Sequence, residues 1–152
     1  MTYRTLIVGT DGSATAESAV RQAATLAAMD GARLVVVTAF QPAEEPLANP
    51  DRLPEDIRWM LTDTAQAEGL AAKGRELARE IGAKEVVVRA EEADPATAIL
   101  DAAEEFAADV IVVGSKGLGS PARFLLGSVA SRVAHHAPCD VLIVQTQAAV
   151  SA

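Results

Sequence analysis

A single doubly wound α/β domain, with a parallel sheet covered by helices on both faces, is the fold the sequence predicts. Five short β-branched runs recur along the 152 residues: Thr5 to Val8, Leu34 to Val37, Val86 to Val88, Val110 to Val113 and Val141 to Val144. None of them alternates with polar residues, which is the pattern of strands buried on both faces. The gaps between runs are long enough for crossover helices, and a composition that is 50% hydrophobic over this length suits one core rather than two domains.

Each gap has its own signature. After the first run, Ala16, Ala19, Val20, Ala23, Leu26 and Ala27 share one face at helical spacing, with alanines that allow close approach to a sheet. The second run is followed by residues 41–54, where Pro42, Pro46, Pro50 and Pro54 stand at every fourth position and exclude a helix. That stretch is expected to be a flexible surface connection, or a flap over a ligand. A helix is predicted from about Glu55 to Ile81, interrupted in composition by Gly69 and Gly74. Ala96, Ile99, Leu100, Ala103, Phe106 and Ala107 form the face of the next helix, and a last one follows Gly127. Residues 146–152 read as a tail. No internal period repeats.

Charge narrows the partners. The chain has 13 basic against 21 acidic residues and a formal net charge of −8, a surface that repels nucleic acid and anionic membrane. From Val110 to Cys139, however, there is no Asp or Glu, while Lys116, Arg123 and Arg132 fall inside. The N-terminus lacks the apolar core of a signal peptide, and no apolar stretch approaches the ~18 residues of a spanning helix, so a cytoplasmic protein is expected. Cys139 is the sole cysteine, which rules out an intrachain disulfide and reads as a small core residue.

Two strand ends carry binding chemistry. The first run ends in Gly9-Thr10-Asp11-Gly12-Ser13 and the fourth in Gly114-Ser115-Lys116-Gly117. In doubly wound folds ligands lie beyond the carboxyl ends of strands where strand order reverses. Glycines at such an end let bare backbone amides approach a phosphate, because a Cβ there would either forbid a positive φ or block the approach. Asp11 can accept from ribose hydroxyls or help hold Mg²⁺, and its alternative role is that of a turn residue or helix cap. Three or four charge-assisted amide contacts of about 1.5–3 kcal/mol each, with adenine packing, reach about −8 kcal/mol, a micromolar dissociation constant.

Gly114, two residues, Gly117, nine residues and then Gly127-Ser128 resembles the ATP-binding signature of the universal stress protein family. The likeness extends from the opening Ile7-Val8-Gly9-Thr10-Asp11-Gly12-Ser13 to the closing His135-His136-Ala137-Pro138-Cys139-Asp140-Val141-Leu142-Ile143-Val144. This resemblance implies a five-stranded parallel sheet of order 3-2-1-4-5, with the first and fourth strands adjacent. It implies that backbone near Ala39 pairs with the adenine edge, and that Asp11 meets the ribose or a metal. It also implies that Gly114, Gly117 and the amides of Ser128 and Val129 hold the phosphates, with Gly9, Thr10, Ser115, Lys116, Leu118, Gly119, Ser120, Arg123 and Gly127 completing the nucleotide site. ATP is the implied ligand, with or without Mg²⁺, and cyclic AMP or AMP the alternative. A homodimer through the edge strand at residues 141–145 is implied as well.

Catalysis finds less support. The chain has no Gly-x-x-x-x-Gly-Lys-[Ser/Thr] loop, nucleophile elbow or Cys-x-x-Cys pair. His135 and His136 are adjacent, hence about 100° apart on a helix, and a poor metal pair. Asp11-Gly12-Ser13 resembles the back half of an aspartyl phosphotransferase motif, but Gly9 stands where the attacking carboxylate belongs. The expectation is a nucleotide-dependent regulatory binding module, with a slow ATPase or self-phosphorylating enzyme as the alternative.

Overall fold

The computed structural model describes residues 2–41, 63–115 and 126–145. The elements are β1 (Thr5–Gly9), α1 (Ala14–Asp30), β2 (Arg33–Phe40), α2 (Asp63–Ile81), β3 (Glu85–Glu92), α3 (Pro95–Glu105), β4 (Val110–Gly114), α4 (Ser128–His136) and β5 (Asp140–Val144). All strand pairs are parallel and the sheet order is β3-β2-β1-β4-β5. The 3-2-1-4-5 order and the adjacency of the first and fourth strands are therefore present.

The lack of polar alternation in the strands has a direct cause. Leu6, Val8, Leu34, Val36, Val110 and Val112 pack on one face with Ala19, Val20, Ala23 and Ala27 of α1 and Ala78 of α2. Ile7, Val35, Val37, Ile111 and Val113 pack on the other with Ala96, Ile99 and Ala103 of α3 and Ala130 and Val133 of α4. Successive residues point to opposite faces, and both faces are covered.

Sequence-readable caps set the helix ends. Ser13 Oγ accepts from the Ala16 N–H at 3.1 Å, and Gly31 ends α1 in the left-handed region at φ 62°. Asp94 caps α3 and Pro95 opens it, with the Thr97 N–H 3.2 Å from Asp94 Oδ2.

Several sequence expectations need correction. β2 and β3 run on to Phe40 and Glu92, well past the apolar runs, because β3 is an edge strand whose partly exposed faces accept Arg89, Glu91 and Glu92. α3 stops at Glu105, and Ala107 lies in the turn beyond it at φ 50°. Its buried face is completed instead by Ala98 and Ala102. Gly74 is tolerated inside α2 because a Cβ there would stand 2.8 Å from Val36 Cγ1, so its absence is what lets the helix approach β2. Glu55 to Thr62, the proline-rich stretch at 42–54 and the tail at 146–152 lie outside the described residues. Among the described residues no helix is long and apolar enough to cross a membrane.

Candidate functional site

β1 and β4 are neighbours through Leu6↔Val110, Ile7↔Ile111 and Val8↔Val112, and they part immediately afterwards. The chain leaving β1 enters α1 on one face of the sheet, and α4 lies on the other. A crevice opens at that divergence, the usual ligand position in a doubly wound sheet. Gly9, Thr10, Asp11, Ala39, Gly114 and Val129 all line it. Thus the first strand end, the glycine end of β4 and the start of α4 meet at one place.

The floor is apolar. Val37, Ile99, Val113 and Ala130 lie under it, and Pro95 brings the first turn of α3 to its edge. Ser13, Thr15 and Ala16 add the start of α1. Apart from Ser13, which belongs to the strand-end motif, the sequence marked none of these residues as part of the site. The Asp94-Pro95 cap signal would have placed the start of α3 at the carboxyl edge of the sheet, and so beside the crevice.

Ala39 offers backbone rather than side chain. β1 ends at Gly9, opposite Val37, and the Thr10 N–H donates to the Val37 carbonyl at 2.9 Å. In a parallel ladder alternate residues face the same neighbour, so the groups of Ala39 occupy the next rung after β1 has ended. On the other side β2 continues to pair with β3, Ala39 opposite Glu91. A peptide N–H and C=O in that position match a planar heterocycle with one acceptor and one donor on its edge.

Asp11 makes a tight turn. Its Oδ1 accepts from the Ser13 N–H at 2.9 Å, while Thr10 Oγ1 accepts from the Gly12 N–H at 3.2 Å. Gly12 takes φ 81°, and a Cβ there would also meet Leu70 Cδ2 at 2.5 Å. The carboxylate thus serves the turn with one oxygen and is exposed to the crevice mouth. As the single carboxylate on the described lining it suits Mg²⁺, an ion that retains waters and takes one or two protein carboxylates beside substrate phosphates.

The start of α4 differs from those of α1 and α3. Its N-cap, Gly127, provides no side-chain acceptor, and the first intrahelical bond runs from the Ser131 N–H to the Gly127 carbonyl at 2.9 Å. The amides of Ser128, Val129 and Ala130 precede that bond, so they have no intrahelical acceptor and carry the positive end of the helix dipole. Gly127 adopts φ −63° and ψ 163°, extended backbone open to any residue. Of the two reasons for glycine given above, only close approach remains at this position. Its own N–H donates to the Ser115 carbonyl at 2.7 Å.

Arg132 does not face the crevice as a free cation. Its guanidinium Nη1 lies 2.6 Å from Asp94 Oδ2, tying the first turn of α3 to α4. The Thr97 hydroxyl and amide, with Arg132 adding its charge, hold the Asp94 carboxyl below the usual carboxylate range. Ser115 Oγ donates to Gln145 Oε1 at 2.8 Å, so this hydroxyl is turned toward β5. Lys116, Gly117, Leu118, Gly119, Ser120 and Arg123 lie outside the described residues. Cys139 is half-buried, with its thiol pushed up by desolvation and then by Asp140, as a core thiol behaves. Among the described residues no cluster of His, Cys, Asp or Glu suits a metal by itself.

Comparison with known proteins points to one family. The chain matches the universal stress protein family over residues 2–145. A universal stress protein of Mycobacterium tuberculosis is 40% identical over 144 residues, covering 95% of this chain and 97% of that one. A crystal structure of a universal stress protein in complex with cAMP superposes with a TM-score of 0.75 at 33% identity, covering 97% of this chain and 100% of the other. A universal stress protein from Archaeoglobus fulgidus in complex with dAMP gives 0.68 at 26% identity, covering 95% and 100%.

Proposed function

Because this chain belongs to the universal stress protein family, we propose that it is a regulatory module that binds an adenine nucleotide, ATP above others, in the crevice between β1 and β4. The observation that carries the reading is the uncapped start of α4 beside Gly114, facing a crevice whose far rim is the backbone of Ala39. The base lies along Ala39 over the apolar floor, the sugar passes Asp11, and the phosphates reach Ser128 and Val129. The relatives solved with cAMP and dAMP support the adenine nucleotide class.

Binding without efficient hydrolysis fits the described lining, where Asp11 is the sole titratable side chain and has one oxygen engaged by Ser13. A homodimer is part of the proposal. β5 pairs only with β4 among the described residues, and Val141, Leu142, Ile143 and Val144 are partly exposed on that edge. Cytoplasmic residence belongs to the same reading.

Cyclic AMP is the second reading, favoured by the cAMP-bound relative and by the single uncapped helix start on the described rim. Side-by-side calorimetry separates the two. The proposal expects ATP to bind with a dissociation constant of about a micromolar and more tightly than cAMP. Tighter cAMP binding would install the second reading, and steady-state phosphate release well above that of a Gly117→Ala variant would make the protein an enzyme.

A further inference from the structure

One residue joins three parts of the site. Ser115 follows β4 directly and is 6% exposed. Its carbonyl accepts from the Gly127 N–H at 2.7 Å, and its N–H donates to the Val144 carbonyl at 2.8 Å. Its hydroxyl donates to Gln145 Oε1 at 2.8 Å. The first bond joins the two flanks of residues 116–126, and the second extends the β4–β5 ladder by a rung. The third fixes the side chain against the residue that follows β5.

Gly127 is the N-cap of α4, so the place of Ser115 sets where the amides of Ser128 and Val129 stand relative to Gly114. A phosphate is held by amides only when several converge on it, and a small displacement of the helix start weakens them together. We propose that Ser115 is a positioning residue for phosphate recognition, anchored through Gln145, so that the end of β5 forms part of the phosphate site without touching the ligand. This rests on the nucleotide reading above. Ser115 therefore acts through its backbone and through Gln145, rather than by lending its hydroxyl to the nucleotide.

The hydroxyl is the testable part, because Ser115→Ala leaves both backbone bonds in place. Gln145→Ala removes the same bond from the other side. The full chain, the two single variants and the double variant are titrated with ATP by calorimetry and with adenosine by NMR, and their thermal midpoints are recorded. Each single variant is expected to bind ATP about five- to tenfold more weakly, the scale of one modest hydrogen bond acting through position. Adenosine affinity should stay within about twofold, and the double variant should be no worse than either single, as one shared interaction requires.

ATP binding at wild-type strength in both single variants would overturn the proposal. Equal loss for adenosine and ATP would also overturn it, since that is the signature of a general structural role. Additive losses in the double variant would show that the two residues act separately. A wild-type chain that binds neither ligand would remove the nucleotide reading and this inference together, and is distinct from a wild-type chain that binds both while Ser115→Ala changes nothing.

Discussion

The residues that matter most at the site contribute what they lack or what their backbone exposes. Gly127 has no side chain to cap α4, so the amides behind it lack a side-chain acceptor at the start of a helix that lines the crevice. Because its φ of −63° suits any L-residue, Gly127→Ala should fold normally and still obstruct the phosphate. Calorimetry should show at least a tenfold loss of ATP affinity, roughly one charge-assisted contact, with a thermal midpoint close to wild type. Wild-type affinity would remove α4 from the site. Asp11→Asn keeps an oxygen for the Ser13 amide and loses only the charge. A smaller loss of affinity is expected, and titrations with and without Mg²⁺ show which partner Asp11 has: a loss confined to the Mg²⁺ series assigns the carboxylate to the ion, an equal loss in both assigns it to the ribose. The glycine and aspartate signals were legible in the sequence because they are positional motifs. The commitment of Arg132 to Asp94, and of Ser115 to Gln145, was not, since each joins residues distant in the chain through packing.

At the scale of elements, two glycines in one helix behave differently. A Cβ on Gly74 would press within 2.8 Å of Val36 Cγ1, a buried β-branched side chain with little room to turn, whereas a Cβ on Gly69 would meet nothing within 4 Å. Urea unfolding should show Gly69→Ala stabilised by about 0.5–1 kcal/mol through helix propensity. Gly74→Ala should be destabilised by about 1–3 kcal/mol through overpacking, net of that gain. Equal effects would contradict the close approach of α2 to β2. From composition both glycines read alike as weak points, because propensity does not see the partner surface. The same limit applied to β3, whose charged second half looked unlike a strand until its edge position was known.

The β3–α3 seam carries a pH dependence. Desolvation, followed by the hydrogen bond and charge of Asp101, raises Glu91 to about 7, with Arg89 opposing and Glu105 reinforcing the shift. Arg89 itself is held by Glu105 at 2.8 Å. A carboxyl raised above its unfolded value binds a proton more tightly in the folded state. The stabilisation is therefore complete below about pH 4.5 and lost as pH rises through about 7. Glu91→Gln should flatten the decline of unfolding stability across that window in urea titrations at successive pH values. An unchanged slope would contradict the raised Glu91 carboxyl.

For the whole molecule, the sheet and its crevice follow from two facts of the sequence: strands apolar throughout, and glycine or small polar residues where β1 and β4 end. The strand order was legible through family resemblance rather than through the runs themselves, because order depends on which faces the crossovers take. The net charge of −8 opposes polyanionic partners, and the stretch from Val110 to Cys139, which contains no acidic residue, is the exception along the sequence.

The most direct test is an NMR titration of the isotopically labelled chain with ATP, read at backbone amides. Ala39, Gly114, Ser128 and Val129 are expected to shift together and saturate with one dissociation constant. Shifts absent from these amides, or centred elsewhere on the chain while ATP binds, would contradict it.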